Sequence, residues 1–142
     1  SGSHLIDIIL WLTNLEPKEV FAFVDNQGLK VDIFSSFSIK FENGALASVA
    51  ISGDAPAWYE NLSIWGSEGA LFFHEGKIYQ QLSNGDFYQP HRLPSPSDPD
   101  TNFIQAILRK DKVHSPGSCG LKVVKLTDAV YKSAKKGEKI IL

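Results

Sequence analysis

The sequence has a single cysteine, Cys119. One thiol excludes an internal disulfide and cannot by itself build a zinc site; it fits a reduced, cytoplasmic setting. Long apolar runs are lacking too. The longest, Leu5–Leu12, is broken by Asp7 and falls well short of the roughly 18 residues a membrane span needs. No basic segment followed by a small-residue cleavage site opens the chain, so no signal peptide is read. There is no excess of charge of either sign. Lys and Arg number 14 against 16 Asp and Glu, a formal net charge of −2. That balance implies no general attraction to nucleic acid or to an anionic membrane. GxGxxG, GxSxG, CxxC and HExxH are all missing, and with them a nucleotide loop, a hydrolase elbow, a redox pair and a zinc-protease helix.

What is present fits one domain. The 142 residues are 43% apolar and 21% charged, near the average for a globular protein. A chain of this length buries roughly 70% of its unfolded surface, enough for a real core. Leu5, Ile8, Ile9 and Leu12 recur at helical spacing, with Ser3 as N-cap and Asn14 and Pro17 as the stop. Strands follow. Glu19–Val24 is rich in β-branched and aromatic residues. Over Val31–Phe41, Val31, Ile33, Phe37, Ile39 and Phe41 alternate with Asp32, Ser36, Ser38 and Lys40. Asn43-Gly44 predicts a type I′ hairpin turn into Ala45–Ser52. Asn61–Trp65, Ala70–His74, Lys77–Leu82 and Asp86–Gln89 continue the meander, punctuated by Glu75-Gly76 and Asn84-Gly85. The Pro-rich connector over residues 90–100 can continue neither sheet nor helix. Asp100 or Thr101 then caps a helix carrying Phe103, Ile104, Ile107 and Leu108. A last helix over Gly120–Lys136 shows the stripe Val123, Leu126, Thr127, Val130 and Ala134, ends at Gly137, and leads into a short strand.

This order predicts an α+β domain: a predominantly antiparallel, open-faced sheet with helices packed on one face. Phe34, Trp65, Phe72, Tyr79 and Phe87 are candidates for the other face. They either form an oligomer interface or fold inward on a curved sheet.

Residues able to do chemistry are few. His4 and Asp7 are three apart and share a helix face, which suits either a carboxylate-held general acid/base or an ordinary surface pair. Ser1–His4 itself reads either as native sequence or as an expression remnant. His74, His91 and His114 are scattered, without metal-ligand spacing. Gly66-Ser67-Glu68-Gly69 reads as a turn. Gly117-Ser118-Cys119-Gly120 opens a helix and serves as a cap or an anion seat. The loop Asp54–Tyr59 carries Trp58 and Tyr59, which either line a pocket or pack as an apolar corner.

Five strings in order bear a resemblance that covers the whole chain: GSHLIDIILWL (Gly2–Leu12), FSIKFENGALASVAIS (Phe37–Ser52), LSIWGSEGAL (Leu62–Leu71), NFIQAIL (Asn102–Leu108) and LTDAVYKSAKKGEKIIL (Leu126–Leu142). Together they resemble the C-terminal domain of the glucose–fructose oxidoreductase/inositol dehydrogenase/MocA family. The resemblance implies a fold like the C-terminal domains of dihydrodipicolinate reductase and glyceraldehyde-phosphate dehydrogenase. It implies that Gly2-Ser3-His4 is native and that His4 is the catalytic histidine, exchanging a proton with a substrate hydroxyl as hydride leaves for a nicotinamide. Asp7 is implied to orient His4 or the helix beside the substrate, and Trp58 falls on the substrate side. The implied cofactor is NAD or NADP, the implied substrate a sugar or polyol, and the implied state a homo-oligomer joined through the open sheet face.

The chain departs from the family pattern at its start. The family's glycine-rich nucleotide half, its Glu-Lys-Pro string and an acid four residues before the histidine are missing. The expectation is therefore that residues 1–142 are a substrate-binding and oligomerisation domain. The Rossmann domain would belong upstream, and the piece alone would be inactive with no cofactor bound. The competing expectation is a free-standing α+β module that binds a small ligand or mediates oligomerisation without catalysis.

Overall fold

The structure is a computed structural model that describes residues 2–95 and 98–142. Pro96 and Ser97 of the expected Pro-rich connector, and Ser1, lie outside the described residues. The elements run α1 (Gly2–Thr13), β1 (Pro17–Asp25), β2 (Phe34–Phe41), β3 (Leu46–Ser52), β4 (Asn61–Gly66), β5 (Gly69–His74), β6 (Lys77–Leu82), β7 (Phe87–Tyr88), α2 (Pro99–Ile107), α3 (Gly117–Lys136) and β8 (Ile140–Ile141). The α+β class and the antiparallel pairing are as predicted. The meander, however, divides into two four-stranded sheets, ordered β3-β2-β1-β8 and β4-β5-β6-β7.

The first sheet holds the core. Val20 pairs with Ile39, and Ile39 with Ala47; Ala22 pairs with Phe37, and Phe37 with Val49. Paired residues point to one face, and on that face Val20, Ala22, Phe37, Ile39 and Val49 are buried. α3 packs on β1 through Val123, Leu126, Ala129 and Val130, and α1 packs on α3. The predicted stripe of α3 keeps Val123, Leu126 and Val130, while Ala129 and Ser133 take the deep places expected for Thr127 and Ala134. α3 also begins earlier than predicted, at Gly117, and ends at Gly137 in the left-handed conformation with its N–H on Ser133 O.

α1 is rotated from its predicted face. Ile6, Ile9 and Leu10 are buried, whereas Leu12 is exposed and Ile8 only half-buried. The helix is apolar on almost every side, so spacing alone could not choose the face that meets α3. Ser3 lies inside the first turn rather than capping it.

Turn chemistry explains three other differences. β2 starts at Phe34, not Val31, because Asp25 and Asn26 accept from the amides of Gln27 and Gly28, and both latter residues have positive φ. Asn43-Gly44 is not a type I′ turn: only Gly44 has positive φ, with its N–H on Phe41 O, and Asn43 Oδ1 accepts from Ala45 N. Asn84-Gly85 repeats that pattern, and positive φ at two successive residues falls instead at Glu75-Gly76. The cap of α2 is Asp98, whose carboxylate accepts from Asp100 N and Thr101 N, with Pro99 opening the helix.

One buried hydroxyl ties the layers. Ser133 Oγ accepts from Ala22 N at 3.0 Å and donates to Glu138 O at 2.6 Å. β8 pairs with β1 only at Glu19 and Val20, so Ser133 serves the edge amide that β8 does not reach.

Candidate functional site

His4 stands exposed in the first turn of α1, and Asp7 follows one turn later, half-buried. They share a face by spacing. No hydrogen bond or ion pair joins them among the described residues. The start of α1 lies against the end of β3: a Cβ built on Gly2 would sit 3.2 Å from Ile51 Cδ1. From that end of β3 leaves the loop 53–60. Trp58 in this loop is 80% exposed, so it is not an apolar corner; its neighbour Tyr59 packs edge-on against His74 at 5.9 Å. No contact unites His4, Asp7 and Trp58 among the described residues.

A polar cluster that sequence spacing did not reveal lies beyond α2. Asn102 Nδ2 donates to Asp111 Oδ2 and to Lys112 O, while Asn102 Oδ1 accepts from His114 N. His114 Nε2 lies 3.2 Å from Asp111 Oδ2. The Lys112 N–H, then Asn102 and His114, hold the Asp111 carboxyl below its ordinary value. These residues are nine and more positions apart along a loop, and no period in the sequence links them.

The residues do not fit a bound dinucleotide. Every strand pairing among the described residues is antiparallel, so no parallel βαβ unit offers a phosphate-facing helix start behind a glycine turn. Gly66–Gly69 is a tight hairpin turn. A Cβ at Gly69 would fall 2.1 Å from the Gln81 carbonyl oxygen, so this glycine answers to strand packing. A shallow depression does exist on the open face of the first sheet, lined by Phe23, Asp25, Phe34, Ser36, Ala50 and Ser52, none of which is a predicted site residue. Among the described residues no group of three His, Cys, Asp or Glu could hold a metal, and no helix is long and apolar enough to cross a membrane.

Residues 1–72, half of the chain, match the family model described as the GFO/IDH/MocA C-terminal domain. The chain belongs to the GFO/IDH/MocA family. Among solved structures it resembles the aldose-aldose oxidoreductase from Caulobacter crescentus complexed with glycerol, with a TM-score of 0.87 at 20% identity over 99% of this chain and 46% of that one. It also resembles the WlbA dehydrogenase from Bordetella pertussis in complex with NADH and UDP-GlcNAcA, with a TM-score of 0.79 at 20% identity over 99% and 44%. A third is the UDP-N-acetylglucosamine 3-dehydrogenase GnnA from Acidithiobacillus ferrooxidans, with a TM-score of 0.83 at 17% identity over 95% and 46%. At these identities the likeness shows the fold. This GFO/IDH/MocA chain spans about half the length of the structures it matches. No curated protein matches it.

Proposed function

We propose that this GFO/IDH/MocA domain is the substrate-binding and oligomerising half of an NAD- or NADP-dependent sugar or polyol dehydrogenase of the cytoplasm. The observation that carries the reading is the family match over residues 1–72, which includes His4 in the exposed first turn of α1. In this reading a nicotinamide cofactor, supplied by a nucleotide-binding half of the same protein, accepts hydride from a secondary alcohol. His4 is the proton carrier. An imidazole titrates near neutral pH, and this one stands in solvent reach with its ring off the helix surface. Asp7 keeps an acidic group on the same face, and Trp58 offers an exposed aromatic surface for the apolar face of a sugar ring. Without the nucleotide-binding half, the 142-residue chain is inactive.

The oligomerising role draws on the second sheet. Trp65, Phe72, Tyr79 and Phe87 share one face of it by register, with ring centroids 5.1, 5.9 and 5.6 Å apart along the series Trp65–Phe72–Phe87–Tyr79. An exposed aromatic row of this kind suits a partner surface of like chemistry.

The test is His4→Gln in the protein that carries both halves. Turnover falls about 10²–10⁴-fold while binding of NADH or NADPH is kept, and the limb of the pH–rate profile due to the base disappears. Turnover within a factor of two of wild type, at about neutral pH, removes His4 from the mechanism.

A further inference from the structure

A helix that is apolar all round is buried all round. α1 meets this description: between Gly2 and Thr13 its only formally charged side chain is Asp7. Ile6, Ile9 and Leu10 face the core, yet the opposite side is apolar as well. His4, Ile8 and Trp11 fall at i, i+4 and i+7 on that outward side, and Trp11 is 69% exposed. The neighbouring helix continues the pattern. Leu121 and Val124, one turn apart near the start of α3, are more than half exposed. Lys122, between them, makes an ion pair with Glu16 just past α1, which brings that end of α3 to the C-terminal end of α1. The second half of α3 is different. Its outward positions are Lys125, Asp128, Lys132 and Lys135, a solvated face with an Asp128–Lys132 ion pair. The apolar outer surface is therefore bounded, and His4 stands on it.

We propose that this outward side of α1 and the first turns of α3 is the seat of the nucleotide-holding domain, with Trp11 as its central anchor. The inference rests on the function proposed above. A second copy of this chain could cover the apolar side chains, but it would bring no dinucleotide to His4, because no unit among the described residues fits one. A domain that holds the nicotinamide meets both demands of the same stripe: cover for Ile8 and Trp11, and a cofactor beside His4. The open sheet faces, on the other side of the helices and on the second sheet, are then left for copies.

Hydroxyl-radical footprinting read by mass spectrometry tests this, because Trp11, Trp58 and Trp65 are similarly exposed in the 142-residue chain. In the protein that carries both halves, Trp11 is oxidised about fivefold more slowly than in the 142-residue chain, since the core of an interface excludes solvent. Trp11→Glu with Leu121→Glu, exposed changes that leave the melting of the 142-residue chain in place, makes the two halves of the larger protein melt separately. It also removes the rise in melting temperature that NADH confers on this half. Equal oxidation of Trp11 in both proteins, with NADH bound, overturns the docking proposal and leaves the function standing. Protection of Trp11 in the 142-residue chain that grows with its concentration assigns the surface to a second copy and overturns it too. Failure of the larger protein to bind NADH or NADPH by calorimetry overturns the function and the proposal together.

Discussion

The first sheet, β3-β2-β1-β8, and the second, β4-β5-β6-β7, have comparable apolar content, yet nearly all of the buried apolar side chains belong to the first sheet and its helices. Ala70 is the second sheet's one member of that group. The difference does not lie in strand quality. Both sheets are paired in register and both alternate cleanly. It lies in the cover. α3 and α1 close one face of the first sheet, while the second sheet touches that core only through Leu62 and presents Trp65 and Phe87 to solvent. Apolar residues become a core only when another layer removes them from water. α2 repeats the lesson: Phe103, Ile104, Ile107 and Leu108 form the stripe the sequence predicted, and all are more than half exposed, because no element packs on them.

The comparison can be broken hardest at Leu126, which is fully buried between α3 and the first sheet. Leu126→Ala should cost about 3–5 kcal/mol in chemical denaturation, because the packed layers cannot collapse around the missing atoms. An equal loss from Leu71→Ala in the second sheet, where Leu71 is 44% exposed, would erase the distinction. Gly69→Ala should cost about 2–3 kcal/mol, since its φ is 148° and the new methyl meets the Gln81 carbonyl. Its effect should be confined to β5 and β6, read as lost amide protection there with the first sheet still protected. Ser133→Ala should cost about 1–2 kcal/mol by leaving Ala22 N and Glu138 O without their partner, and calorimetry would show it. Trp65→Ser should change the stability of the single chain by less than about 1 kcal/mol while weakening self-association, read by sedimentation. The smallest effect is acid fraying of α2. The Thr101 hydroxyl, then the Asp100 and Thr101 amides, lower the Asp98 carboxyl from its ordinary 3.8. A lowered carboxyl stabilises above its unfolded value and loses that contribution as the pH falls through the folded one. Amide exchange in the first turn of α2 should therefore rise only below about pH 4, and Asp98→Ala should remove the dependence.

Much of the molecule was legible in advance, for identifiable reasons. A period of two at Phe37, Ile39 and Phe41 marks the buried face of β2, and Val123, Leu126 and Val130 mark that of α3, because one contrasted face leaves only one way to pack. Gly137 ends α3 as read, since glycine takes positive φ without cost. His4, Asp7 and Trp58 could be singled out by residue type and by resemblance, but their spacing carries no distance.

What the sequence determined by itself is local: which segments are helix or strand, where most of them stop, and which of their faces are apolar when the two faces differ. The tertiary structure alone decided the rest. It chose the side of α1 that meets the core, because Leu5, Ile8, Ile9 and Leu12 compete with Ile6, Ile9 and Leu10 at equal spacing. It divided one meander into two sheets, joined Asn102 to Asp111 and His114, and left α2 and the aromatic row uncovered. Periodicity describes a single element, whereas burial depends on a second surface whose position no local pattern records.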